Sequence, residues 1–276
     1  MPELPEVETT RRALAPVLEG ARLSRIKVRR DRMLRRQHRP VDFVDRLQGR
    51  TVDALRRHGK FLLADVAGDI VWVTHLGMSG RMSIAAPGDP EAPHTNVVVA
   101  TATGAEIRFI DPRTFGFVAA LTPDEYAASS LARLGPDAFT DLPRSQALAR
   151  RLDGRTAPIK ALLLDQHVLA GLGNIYADEA LHRAGIRPDR PGGSLDGAEV
   201  RRLRAAIKAT LEAGLRWGGT SLNDLAYLLP DGRAGEYMRR LRAYGREDEP
   251  CRTCGIPIVR VVLRGRSTHW CPGCQQ

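Results

Sequence analysis

All four cysteines of this chain sit in its final twenty-six residues, as Cys251-Arg-Thr-Cys254 and Cys271-Pro-Gly-Cys274 with sixteen residues between the two pairs. Two Cys-x-x-Cys knuckles at that separation match a closed, tetrahedral site of four thiolates for one zinc ion, so the metal expected here is structural and not catalytic. A redox pair would account for only one of the two knuckles. Between them, residues 258–263, Gly265 and residues 269–270 read as a β-hairpin with Arg264 and Arg266 at its tip. A hairpin pinned by metal can push an arginine into a groove.

At 276 residues the chain is long enough for two domains with cores of their own. Its net charge of +10 points to an anionic partner, nucleic acid first and an anionic membrane surface second. Between Arg11 and Arg57 stand fifteen Lys or Arg against five Asp or Glu. No run approaches the roughly eighteen apolar residues of a membrane span, and the acidic amino terminus lacks the apolar stretch of a signal peptide. The expectation is a cytosolic protein, where a reducing compartment favours metal over disulfides for the cysteines.

The hydrophobic pattern changes once along the chain. Apolar positions at residues 7, 14, 17 and 18 suggest a first helix beginning near Pro5. Residues 22–28, 51–57, 60–66, 70–75, 96–103, 106–110 and 117–121 then alternate or run apolar, with glycines 59, 68, 80 and 104 as turns, which predicts packed antiparallel sheet. From Pro123 the period becomes helical, over 124–134, 145–152, 158–166, 175–184 and 195–215. Residues 217–235 read as a mobile loop, followed by a short helix over 236–244.

Chemistry is concentrated in a few short segments. Met1-Pro2-Glu3-Leu4-Pro5-Glu6-Val7-Glu8 places a secondary amine beside carboxylates once Met1 is removed, and such an amine can attack an electrophilic carbon to give an iminium ion. The helix start near Pro5 disfavours the protonated amine, and an α-amino group already titrates below a lysine, while Glu3 and Glu6 push the other way. Helix, glycine-bearing turn and helix are suggested by residues 158–176, where Asn174 can cap the second helix and present backbone N–H groups, with Lys160 nearby, to a phosphate. Lys60 follows a turn glycine, where it projects freely. Met78, Arg113 and Phe115 stand on loops between strands, as residues that fill the gap left by an extruded nucleotide would.

Taken in order, these segments resemble the formamidopyrimidine-DNA glycosylase family and its endonuclease VIII relatives. The resemblance runs from Pro2 to Gln275 and rests on Pro-Glu-Leu-Pro-Glu-Val-Glu, His-Gly-Lys, His-Leu-Gly-Met-Ser-Gly, Asp-Pro-Arg-Thr-Phe-Gly, Gly-Leu-Gly-Asn-Ile-Tyr-Ala-Asp-Glu and the cysteine knuckles. Leu4, where the endonuclease VIII branch usually has glycine, together with Met78 and Ile175-Tyr176, favours the first branch.

The resemblance implies an α+β fold: an N-terminal antiparallel β-sandwich with flanking helices over residues 1–122, a helical helix-two-turn-helix domain over 123–246, and a β-hairpin zinc finger over 247–276. It also implies a monomeric base-excision enzyme of the bacterial cytosol that removes oxidised purines from damaged double-stranded DNA and cuts the strand. Carried over by position, Pro2 is the nucleophile, Glu3 protonates the opening sugar, Glu6 supports them, Lys60 assists excision and elimination, and Arg266 grips a phosphate and acts as acid in δ-elimination. Met78, Arg113 and Phe115 fill the space of the flipped base, while His94, Arg155, Lys160 and Asn174 align with contacts to the DNA backbone. Cys251, Cys254, Cys271 and Cys274 hold one structural zinc.

Thr114 stands where a second arginine is frequent and Asn96 where a histidine is frequent, while residues 267–270 vary the usual aromatic ending. Residues 226–235 run about two residues longer than is typical. The rivals are an oxidised-pyrimidine glycosylase on the same scaffold, a DNA-binding protein that has lost catalysis, and a zinc-ribbon RNA-binding protein. The last leaves the amino-terminal motif unexplained.

Overall fold

Pro5 lies in the first turn of α1 (Leu4–Leu18), where its fixed φ and missing N–H cost nothing, and Glu3 and Glu6 close a reciprocal capping box around that turn. The helix buries Val7, Leu14 and Leu18 and is followed by Gly20 at φ +77°. The structure is a computed structural model describing residues 1–221 and 227–276.

Eight strands follow: β1 (Leu23–Val28), β2 (Val52–His58), β3 (Phe61–Val66), β4 (Ile70–His75), β5 (Arg81–Ala85), β6 (Thr95–Thr101), β7 (Glu106–Ile110) and β8 (Phe117–Leu121). They form two four-stranded sheets in the orders β1-β6-β7-β5 and β2-β3-β4-β8, with each neighbouring pair antiparallel. Alternate residues point into one core: Leu62, Ala64 and Val66 of β3, Val97 and Val99 of β6, Ile107 and Phe109 of β7, Val118 and Ala120 of β8. The β-sandwich and its flanking helix are thus as the alternation predicted.

Two elements escape that pattern. Residues 40–47 form α2 (Pro40–Leu47), an amphipathic stretch too short to hold itself in water and kept by Phe43, whose ring meets Trp72 edge-on at 6.3 Å, and by Leu47. Strand β5 turns only Met82 fully inward, so it shows no alternation to read. The helix expected over 124–134 divides into α3 (Pro123–Ala128), capped by Thr122 and Glu125, and a 3-10 turn at Ser130–Arg133.

The remaining helices are α4 (Ser145–Leu152), α5 (Ile159–Leu164), α6 (Asn174–Ala184) and α7 (Gly197–Arg216). Between α5 and α6 the Gln166 amide donates to the carbonyls of Leu164 and Leu172 and accepts from Gly171 N–H, which fixes the two turns of a helix-two-turn-helix. Tyr176 of α6 stacks on Tyr237 with ring centres 5.6 Å apart, and Gly214 of α7 makes room, since a Cβ there would sit 2.5 Å from the Tyr176 ring. The helix expected over 236–244 is only a 3-10 turn at Tyr237–Arg240. Strands β9 (Val259–Leu263) and β10 (Arg266–Trp270) make the expected hairpin.

The chain falls into two compact units, Met1–Arg133 with Trp217–Glu236, and Leu134–Arg216 with Tyr237–Gln276. The segment after α7 therefore groups with the sandwich, unlike a division at residues 122 and 246. Its anchors explain this: Thr220 N–H donates to Glu6 Oε1 at 2.6 Å, Tyr227 O–H to the Glu6 carbonyl at 3.2 Å, and Ile84 N–H to the Pro230 carbonyl at 3.3 Å. Residues 222–226, including Ala226 at the head of the longer stretch, lie outside the described residues. Among the described residues no helix is long and apolar enough to cross a membrane.

Candidate functional site

In the first unit the amino terminus is held by its own acids. Glu6, 1% exposed, accepts the Glu3 N–H on Oε2 at 2.8 Å and the Thr220 N–H on Oε1, while the Glu3 side chain accepts an N–H of the first helical turn. Pro2 and Glu3 are both buried beside this clasp, and Met1 ahead of them is exposed. Burial and the nearby Glu6 carboxylate push the Tyr227 phenol up, so it remains a neutral donor. Gly219 is required at φ +82°: a Cβ would lie 2.7 Å from Glu6 Oε1.

Lys60 does not project freely, as the turn glycine suggested. It is 8% exposed at the β2–β3 turn, whose β2 side is drawn onto α1 by Arg57 Nε donating to Glu8 at 3.2 Å. Nearby, the His75 ring stacks on Phe117 at a centroid distance of 5.6 Å and meets the Phe61 ring at a tilt, 4.8 Å away. Burial, then the charges of Lys60 and Arg35, lower its pKa to about 4, so it is neutral at pH 7. Gly77 N–H donates to Nδ1 at 3.1 Å, which leaves the ring proton on Nε2.

Met78 and Phe115 are each 41% exposed on adjoining loops, and the Arg113 guanidinium lies 4.8 Å from the Phe115 ring centre. The two loops are fused at the backbone: a Cβ on Gly77 would fall 2.3 Å from Gly116 N. Asp111, fully buried, is their hub, accepting from Ser79 Oγ at 2.7 Å, Gly116 N at 2.7 Å and Arg113 N at 3.2 Å. Its own carbonyl accepts from Asn96 Nδ2, so Asn96 is a strut, buried to 1%. Arg35 donates to the carbonyls of Phe115 and Gly116, both at 2.6 Å. Thr114 sits at φ +53°, an uncommon conformation for a β-branched residue. His94, at φ +65°, is exposed and accepts Asp111 N–H on its carbonyl. Asp111 carries no role in the sequence reading; the signal for it was an Asp at the head of an Asp-Pro turn, where its carboxylate reaches forward to backbone N–H groups.

In the second unit Arg155 is exposed, Asn174 is half-buried and Lys160 is buried. Lys160, 1% exposed, lies with Nζ 2.7 Å from Asp178 Oδ1 and donates to the Ser267 carbonyl at 2.8 Å and Thr268 Oγ1 at 2.9 Å. The Asp178 contact is a short charge pairing that lacks good hydrogen-bond direction. Asn174 is the first residue of α6, whose cap is Gly173; its Nδ2 donates to the Ser267 carbonyl at 2.9 Å, while Oδ1 is buried without a partner among the described residues. Both side chains thus brace the hairpin. Arg266, next to the Arg264-Gly265 turn, is exposed.

The thiols of Cys251, Cys254, Cys271 and Cys274 lie within 4.8 Å of one another, with Sγ pairs at 3.9 and 3.4 Å. A tetrahedron of thiolates around zinc has sulfur edges of about 3.8 Å, so the four residues fit one ion and leave no open position. The metal's contribution is to pin the hairpin.

Family models match three stretches: the formamidopyrimidine-DNA glycosylase N-terminal domain over residues 1–118, the H2TH domain of the same glycosylase over 134–225, and a zinc finger found in FPG and IleRS over 248–276. A formamidopyrimidine-DNA glycosylase of Geobacillus kaustophilus is 41% identical over 277 residues, covering 100% of both proteins. One of Rhodospirillum rubrum is 44% identical, covering 98% of each. Among solved structures, the MutM (Fpg) protein of Thermus thermophilus is similar with a TM-score of 0.88 and 41% identity, over 99% of this chain and 98% of that one. Lactococcus lactis Fpg in complex with DNA containing an abasic site gives 0.90 and 30%, over 100% of both.

Proposed function

The chain belongs to the formamidopyrimidine-DNA glycosylase family, and from that premise we propose that it excises oxidised purines, 8-oxoguanine and formamidopyrimidines, from duplex DNA and then cleaves the strand as a lyase. It acts as a monomer in the bacterial cytosol. One observation carries the reading: Pro2 lies buried directly ahead of the Glu3–Glu6 clasp at the start of α1.

With Met1 removed, the Pro2 nitrogen is a secondary amine whose lone pair attacks C1′ of the damaged nucleoside. The glycosidic bond breaks and the base leaves with its electron pair and a proton. Glu3 protonates the sugar ring oxygen, the ring opens, and the amine becomes a C1′ iminium that acidifies the C2′ hydrogens. Loss of a C2′ proton expels the 3′ phosphate, a second elimination expels the 5′ phosphate, and water releases Pro2. The helix N-terminus favours the neutral nucleophile, and an α-amino group has an ordinary pKa of about 7.7–8.0, so a useful fraction is unprotonated near neutrality. Glu6 holds the geometry through its two backbone partners. Lys60 assists excision and elimination, and Arg266 receives a phosphate.

Exposed Met78 and Phe115, on loops fixed by Asp111, supply a rigid wedge that replaces stacking lost when the nucleotide leaves the helix. Arg113, held over Phe115, faces the orphaned base. Borohydride trapping on duplexes carrying 8-oxoguanine, thymine glycol or no lesion tests the reading. The expected adduct forms on 8-oxoguanine and maps to Pro2. Stronger trapping on thymine glycol would move the protein to the oxidised-pyrimidine branch, and tight binding without any adduct would mark it as a protein that has lost its chemistry.

A further inference from the structure

Helix α6 directs three polar side chains, four residues apart, at the zinc module. Asn174 Nδ2 donates to the Ser267 carbonyl at 2.9 Å, Asp178 Oδ2 accepts the His269 N–H at 2.9 Å, and His182 Nε2 lies 3.4 Å from Cys251 Sγ. Spacing by four puts all three on one stripe of the helix. The first two hold the hairpin and the third reaches the metal site itself.

His182 and Cys251 are 5% and 3% exposed, so their contact is dry. Nδ1 of His182 is buried with no hydrogen-bond partner among the described residues. A neutral imidazole carries one N–H. On Nδ1 it would strand a buried donor and turn a lone pair toward sulfur; on Nε2 it aims a donor at sulfur and strands only an acceptor. The second arrangement costs less. Four thiolates around a dication leave a net negative cluster, which gains from every N–H aimed at it. Cys251 Sγ also accepts the Thr253 N–H at 3.4 Å.

We propose that His182 donates its Nε2–H to the zinc-bound thiolate of Cys251 and so makes metal retention a property of α6 as well as of the four cysteines. His182 is a positioning residue here and not a ligand. Groups in this outer position commonly change metal affinity by about 10–100-fold when removed.

The test uses the full-length, zinc-loaded protein in competition with 4-(2-pyridylazo)resorcinol. His182→Phe should bind one zinc with affinity lower by about 10–100-fold, and His182→Gln, which keeps an N–H donor, should recover most of it. In cobalt-substituted protein the thiolate-to-metal band should shift in the phenylalanine variant and return in the glutamine variant. Wild-type retention in His182→Phe would overturn the proposal. Equal loss in both variants with an unshifted band would also overturn it, because filling space would then be the whole role. His182→Leu serves the same comparison where His182→Phe does not fold.

Discussion

Replacing Gly219 by alanine asks how firmly the amino terminus is held. Gly219 sits at φ +82°, where a side chain costs about 1–2 kcal/mol in backbone strain alone. The new Cβ would also stand 2.7 Å from Glu6 Oε1 and 2.8 Å from Glu6 Cγ, so the carboxylate must move. Moving it breaks the 2.6 Å bond from Thr220 N–H, a charge-assisted bond contributing about 1.5–3 kcal/mol. The two terms give a destabilisation of about 2.5–5 kcal/mol. Gly20→Ala is the control, since Gly20 has φ +77° and nothing within 4 Å of its added Cβ. Only the strain term applies there. Urea unfolding of both full-length variants should separate them by about 1.5–3 kcal/mol. Borohydride trapping should fall sharply in Gly219→Ala and persist in Gly20→Ala. Equal stability loss with trapping intact in both would refute the claim that Glu6 is clamped by this segment.

His75 titrates at about 4 when folded against an ordinary value of 6.5, so on acidification the unfolded chain takes up the proton first. Its contribution is present above pH 6.5 and lost as pH falls toward 4; at pH 5 the loss is up to about 2 kcal/mol. Urea midpoints at pH 7.5 and 5 should show it, and His75→Phe should flatten that slope. Lys160→Met leaves the buried Asp178 carboxylate without its cation and should cost about 3–5 kcal/mol, with Lys160→Met/Asp178→Leu recovering part of it in thermal unfolding. Arg264 sits at φ +48° before Gly265 at φ +75°, a turn suited to Asn-Gly; Arg264→Asn should raise stability by about 0.5–1 kcal/mol in the same assay, without loss of zinc.

What the sequence determined by itself is what neighbours along the chain decide. The apolar runs of β3, β6 and β8, the proline-led start of α1 and the paired knuckles closing over a hairpin were all legible, because each depends on residues within one turn, one strand or one loop. Candidate chemistry was legible as residue type: Pro2, Glu3, Lys60 and Arg266 could be singled out, but not their surroundings. The tertiary structure decided those. Lys160 and Asn174 read as a lysine beside a helix start, and nothing local showed that the hairpin more than ninety residues later in the chain accepts a hydrogen bond from each. Lys60 read as free, yet the β2–β3 turn folds onto α1. Glu6 depends on Thr220, 214 residues away, and α2 exists because Trp72 receives Phe43. A buried polar group must find its partner wherever the fold brings one, and that choice is made by three-dimensional neighbours that no local pattern records.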